Sequence, residues 1–183
     1  AVTYSLNSYY GAGVIAGDTG FLLNNHINDF TLLPSERNQF LLEQGTVNTL
    51  EGNKRPLSSM APTMLAKDGK LWMVLGSPGG PTILTSILQT IVNRVDQGLP
   101  LEQAINRPRF HMQCQPDVVF MEEGAFNALT AQRLRTMGHE LKLGSVYHTT
   151  RWGAIAAVEV NQQTQCLLPV IDNRRIHGSA QGF

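Results

Sequence analysis

The chain has 183 residues, 42% of them hydrophobic and 15% charged, and its fourteen basic residues cancel its fourteen acidic ones. That length and composition suit a single domain able to bury about 70% of the surface of its extended chain, and they exclude a disordered segment. The neutral balance excludes a nucleic-acid stripe or a polybasic membrane patch, and no apolar run approaches the ~18 residues of a membrane-spanning helix.

Residues 1–7 alternate in the manner of a strand, which would put Ser5 and Asn7 on one face. A loop from Ser8 to Gly13 follows, then short predicted strands at Val14–Ala16 and Gly20–Leu23 around Gly17-Asp18-Thr19. Asn24 to Phe30 is a dense polar run that holds His26 and Asp29. Residues 31–52 show no period, and an irregular stretch of that length inside a compact domain often serves as a lid or binding loop. Lys67-Asp68-Gly69 between the apolar runs Pro62–Ala66 and Lys70–Gly76 predicts a hairpin, since an Asp-Gly step supplies the left-handed backbone of a tight turn. A helix over 82–97 carries Ile83, Leu84, Ile87, Leu88, Ile91, Val92 and Val95 along one face and stops at Gly98. A second, short helix runs from Pro100 through Asn106. Residues 117–121 read as extended and 125–137 as a helix with Gly138 just past its end; 141–143, 154–160 and 166–171 read as closing strands. Strands, then helices, then strands is an α+β order rather than alternating βαβ units.

The string Gly76-Ser77-Pro78-Gly79-Gly80-Pro81, directly before the long helix, is the most informative. Glycines show bare backbone N–H groups to a ligand, and a helix start adds free donors and the positive end of the dipole. That combination suits an oxyanion or a carboxylate. Three further polar clusters stand out: Ser5 with Asn7, the run Asn24 to Asp29, and Asn53 to Met60 with its twin Ser58 and Ser59. Each by itself also fits an ordinary strand face, turn or capped loop. The histidines at 26, 111, 139, 148 and 177 show no H-x-x-x-H spacing, so no metal and no other cofactor is expected. Cys114 and Cys166 form no C-x-x-C pair, and a disulfide and two free thiols both stay open.

Taken together, Thr3-Tyr4-Ser5-Leu6-Asn7, the run Gly20 to Phe30, Asn53-Lys54-Arg55-Pro56-Leu57-Ser58-Ser59-Met60 and Gly76 to Gly80 resemble the small subunit of the γ-glutamyltranspeptidases. Asn106 to His111 and the tail from Asp172 to Phe183 extend the resemblance essentially end to end. It implies an N-terminal-nucleophile hydrolase fold, an α+β four-layer αββα sandwich of which this chain is the small-subunit part. It also implies a precursor that cleaves itself into a large and a small subunit, the large subunit being the partner. The implied activity is γ-glutamyl transfer or hydrolysis from glutathione-like donors through a threonine ester, with water, an amino acid or a peptide as acceptor. The nucleophilic threonine is expected in a segment upstream of Ala1, with its own α-amine as base; the expected compartment is periplasmic or extracellular, with the cytoplasm as the alternative.

The resemblance assigns Ser5 a contact to the nucleophile and Asn7 and Asp29 the donor's α-amino group. Ser58 and Ser59 would hold the donor's α-carboxylate, and the N–H groups of Gly79 and Gly80 would form the oxyanion hole. Residues 31–52 fall where some members carry a lid, with Phe40 near an aromatic gate. His26 stands where the family usually has Gln or Glu on the donor amino group. That departure keeps open a related acylase, acting on glutaryl-β-lactams or on poly-γ-glutamate, beside a non-catalytic homologous subunit.

Overall fold

The computed structural model describes residues 4–144, 152–174 and 179–181. Residues 1–3 of the expected first strand, His148, His177 and part of the C-terminal tail string lie outside them. The chain divides into two compact units, Tyr4–Met60 and a second that begins at Ala61, described here in turn.

The second unit is built on a four-stranded antiparallel sheet in the order β1 (Thr63–Lys67), β2 (Lys70–Gly76), β6 (Ala156–Val160), β7 (Leu167–Ile171). The hairpin expected at Asp68-Gly69 joins β1 to β2, both turn residues being left-handed (φ 51° and 74°). A smaller sheet pairs β3 (Phe110–His111) antiparallel with β4 (Val119–Met121), and β4 parallel with β5 (Leu141–Leu143). The helices are α1 (Thr82–Val95), α2 (Leu101–Asn106) and α3 (Ala128–Thr136). This α+β arrangement is the class expected, with few helices and two sheets.

Met73 and Leu75 alternate onto one face of β2, where they meet Ile83 and Ile87 of α1, Leu101 and Ile105 of α2, and Ile155 and Ala157. The β1–β2 register slips between Leu65 and Ala66, Met73 facing Leu65 and Leu71 facing Ala66, so Trp72 is the extra residue of a bulge. Its Nε1 donates to Glu159 Oε1 at 3.1 Å.

The buried face of α1 is rotated from the one the apolar spacing predicts. Ile83, Ser86, Ile87 and Thr90 are buried, whereas Leu84 and Leu88 are 56% and 59% exposed. Small polar residues can line that face because their polar atoms are satisfied. Ser86 Oγ donates to the Trp152 carbonyl (2.8 Å), Thr90 Oγ1 to the Ser86 carbonyl (2.9 Å) and Asn93 Nδ2 to the Ala104 carbonyl (3.2 Å). The helix expected over 125–137 starts at Ala128, because the Asn127 side chain caps it by accepting from the Thr130 N–H (2.8 Å). Cys114 and Cys166 are free and exposed.

An ion network ties the segment after α2 to the segment after β7. Buried Arg109 donates to the carbonyls of Ile105 and Trp152 (both 2.9 Å) and pairs with Asp172 Oδ2 at 2.6 Å. Asp172 also accepts from the backbone N–H groups of Ile155 (3.0 Å) and Arg174 (2.9 Å), and Arg174 reaches on to Glu122. Burial alone would raise the Asp172 pKa; the Arg109 and Arg174 charges and the two amides outweigh it and hold the carboxyl below the usual range. His111, also buried, is pushed toward its neutral form by desolvation. Its Nδ1 lies 2.9 Å from Thr85 Oγ1 and its Nε2 3.0 Å from Gln113 Oε1, an acceptor and a donor, as a neutral ring provides.

The unit Tyr4–Met60 is mostly irregular, with 3₁₀ turns at His26–Asp29 and Thr46–Asn48. The strands expected at Val14–Ala16 and Gly20–Leu23 shrink to one antiparallel bridge, Ile15 with Leu22. The strand expected at the start is replaced, over its described residues 4–7, by a turn. Asn7 is left-handed (φ 72°), and its N–H donates to Ser5 Oγ at 2.9 Å. A local side-chain acceptor here displaces the ladder bond a strand would need, so Ser5 and Asn7 share a turn rather than a strand face.

Candidate functional site

Four of the singled-out residues meet in the unit Tyr4–Met60. Asp29 is 7% exposed at the end of the first 3₁₀ turn, and both its carboxylate oxygens are engaged. Asn7 Nδ2 donates to Oδ1 at 3.2 Å, and His26 Nδ1 lies 2.7 Å from Oδ2. A carboxylate only accepts, so Nδ1 of His26 carries the proton of this bond. Ser5 joins through its bond to the Asn7 N–H, and Asn25 closes the cluster by accepting from Asn7 Nδ2 (carbonyl, 3.3 Å) and from the Ser8 N–H (side chain, 2.9 Å). The left-handed backbone at Asn7, which asparagine tolerates better than most residues, is what turns its amide toward Asp29.

Ser58 and Ser59 end this unit. Ser58 is exposed and its Oγ accepts from the Met60 N–H at 3.2 Å; Ser59 is half-buried. They are tied to the Asp29 turn through Asn48, which the sequence reading missed. Asn48 Nδ2 donates to the Asp29 carbonyl (2.6 Å), and its Oδ1 accepts from the N–H of Leu57 (3.0 Å), next to Ser58. Nothing in Thr46-Val47-Asn48-Thr49 marks that asparagine off from any other turn residue.

Gly79 and Gly80 belong to the other unit, where they lead from β2 into α1. Their φ values of 136° and 57° explain the glycines, and their carbonyls accept from the N–H groups of Thr82 (3.2 Å) and Ile83 (3.0 Å) as the helix opens. Ser77 braces the turn: its Oγ donates to the Pro78 carbonyl (2.7 Å) and accepts from the Ala154 N–H (3.0 Å). Gly153 packs so closely here that a Cβ on it would stand 2.6 Å from Ser77 Oγ and 2.9 Å from the Pro78 carbonyl oxygen. No local pattern around Gly153 announces that approach, because its neighbours lie some seventy-five residues earlier in the chain.

Most of the chain superposes on solved proteins with this architecture. A γ-glutamyltranspeptidase mutant of Helicobacter pylori is 38% identical with a TM-score of 0.86, over 95% of this chain and 92% of that one. A cephalosporin acylase from Bacillus halodurans, 24% identical with a TM-score of 0.71 over 90% of this chain and 28% of that one, shares the fold alone. The fold is that of the N-terminal-nucleophile hydrolases. Within that class the chain belongs to the γ-glutamyltranspeptidase family: the family model described as Gamma-glutamyltranspeptidase matches residues 1–182. The glutathione hydrolase proenzyme of Escherichia coli (strain K12) is 46% identical over 151 residues, 82% of this chain and 26% of that protein. The chain thus spans about a quarter of the length of the curated relatives it matches.

Proposed function

We propose that the protein containing this chain catalyses γ-glutamyl transfer and hydrolysis from glutathione-like donors through a threonine ester. The observation that carries the reading is the Asp29 carboxylate, buried and held by Asn7 and His26, in a chain of this family. A donor α-ammonium is suited to it, since a charge-assisted bond to a fixed carboxylate is among the strongest available. His26, where the family usually has Gln or Glu, holds the carboxylate for that ammonium through Nδ1. The Ser58 and Ser59 hydroxyls donate to the α-carboxylate. A threonine ahead of Ala1 attacks the γ-carbonyl, and the amides of Gly79 and Gly80 receive the developing oxyanion. Ser5 positions the attacking hydroxyl, and water, an amino acid or a peptide then resolves the ester. The name of the Escherichia coli relative favours glutathione over a glutaryl amide as donor.

A large subunit cut from the same precursor is the proposed partner. The proenzyme names of the relatives support it, as do the outward Leu84 and Leu88 of α1 and Met64 of β1, 59% exposed. An exported location, periplasmic or extracellular, goes with this reading and is tested by cell fractionation.

The kinetic test uses the full-length protein with γ-glutamyl-p-nitroanilide and its glutaryl counterpart, which lacks the α-amine. Asp29→Ala is expected to raise the γ-glutamyl KM by one to two orders of magnitude, the about 1.5–3 kcal/mol of a hydrogen bond to a charged group, and to leave the glutaryl KM in place. An unchanged γ-glutamyl KM removes Asp29 from the site. A wild-type preference for the glutaryl substrate favours the acylase, and no turnover of either favours the non-catalytic subunit.

A further inference from the structure

Asn48 links two segments that lie far apart in sequence. Its Nδ2 donates to the carbonyl of Asp29 (2.6 Å), its Oδ1 accepts from the N–H of Leu57 (3.0 Å), and its own carbonyl accepts from the N–H of Thr31 (2.9 Å). Gln44 Oε1 is a further acceptor of its amide. A carboxamide is well suited to this position: it offers a donor and an acceptor side by side, so one planar group sets the spacing of two strangers to one another. Leucine or alanine could do neither, and aspartate could only accept. The parallel bridge of Thr31 with Thr49 and the bond from Thr31 Oγ1 to the Gly45 carbonyl (3.0 Å) hold Asn48 itself in place.

What the linkage joins is informative. Asp29 carries the carboxylate assigned to the donor ammonium, and Leu57 immediately precedes the serines assigned to the donor carboxylate. We infer that Asn48 is a positioning residue which sets the distance between the ammonium-binding and carboxylate-binding halves of the donor site, and so makes the site selective for acyl groups that bear an α-amino acid head. This rests on the donor-site reading above. Asn48 bonds to the segments that carry the donor's head group and is assigned no role at the reacting carbonyl, so its effect falls on KM rather than on kcat.

The test compares Asn48→Ala and Asn48→Asp in the full-length protein with γ-glutamyl- and glutaryl-p-nitroanilide. Asn48→Asp keeps an acceptor for the Leu57 N–H and turns a carboxylate oxygen toward the Asp29 carbonyl, which breaks that half of the linkage in a side chain of nearly unchanged shape. Both variants are expected to raise the γ-glutamyl KM about tenfold with kcat within about twofold, and to narrow the preference for γ-glutamyl over glutaryl by the same factor. A loss of kcat on both substrates with the preference intact, an unchanged KM, or failure of both variants to fold leaves Asn48 a purely structural role and overturns the inference. Asp29→Ala run in parallel separates this from the donor-site reading: if it leaves KM unchanged, the site itself is misassigned; if it raises KM while the Asn48 variants do not, only the linkage fails.

Discussion

Asp172→Asn is expected to lower folding stability by about 3–5 kcal/mol, read as a shift of the urea midpoint at constant slope. The substitution keeps the shape of the side chain and removes its charge, which strands the guanidinium of Arg109 in a site where its side chain is 3% exposed. Asp172 is the ion-pair partner of Arg109 among the described residues, and Glu122 adds only a longer-range attraction to that guanidinium. Arg109→Met is expected to cost less. The aspartate left behind still has the Arg174 guanidinium at 3.0 Å and the N–H groups of Ile155 and Arg174. The ranking of the two variants therefore tests the network rather than burial in general.

Proton linkage adds a second signature. The Asp172 carboxyl titrates below its unfolded value of about 3.9, so the unfolded chain binds the proton first as pH falls. The stability it contributes is whole above that unfolded value and is lost as pH drops through the folded one. Asp172→Asn abolishes that part of the acid loss, and its stability curve is correspondingly flatter below about pH 4. An equally steep acid limb in the variant assigns the loss to other carboxylates.

Gly79→Ala is expected to reduce kcat by 10²–10³, about 2.7–4 kcal/mol of transition-state stabilisation, in the full-length protein assayed for the proposed activity with γ-glutamyl-p-nitroanilide. The reason is steric before it is electronic. A Cβ at Gly79 would stand 2.4 Å from Thr82 Oγ1 and 3.1 Å from the Cα of Gly153, at a φ of 136° that side-chain-bearing residues rarely adopt. The turn has to shift, and with it the amide proposed to meet the oxyanion. Gly98→Ala is the matched control. Gly98 is also left-handed (φ 66°), but a Cβ there meets nothing within 4 Å, so it costs about 1 kcal/mol of stability with kcat unchanged. A fall in kcat shared by both variants would attribute the Gly79 effect to lost stability.

Local chemistry was legible in the sequence where neighbours in sequence decide it. The Asp68-Gly69 hairpin and the short helix after Pro100 are each dictated by one or two residues and stand where expected, while α1 ends at Val95, two residues short of the expected end before Gly98. Distant partners were not legible. The Trp72 bulge is explained by Glu159, and the rotated face of α1 by hydroxyls that find acceptors on Trp152 and within the helix. The turn at residues 4–7 arises because Ser5 Oγ takes the N–H that a strand would have spent on its neighbour. The same division runs through the candidate site. Asn7, His26 and Asp29 were named from the sequence through a family resemblance, and their mutual bonds became visible only in three dimensions. Asn48 and Gly153 carry no local mark at all, since what makes each of them necessary is a backbone segment elsewhere in the chain.

The most direct measurement is a crystal structure of the full-length protein soaked with L-glutamate, the acyl product. The predicted result is the α-ammonium within hydrogen-bond distance of the Asp29 carboxylate and the Asn7 amide, with the α-carboxylate on the hydroxyls of Ser58 and Ser59. Glutamate seated elsewhere, or bound with its ammonium away from Asp29, contradicts the proposed donor site.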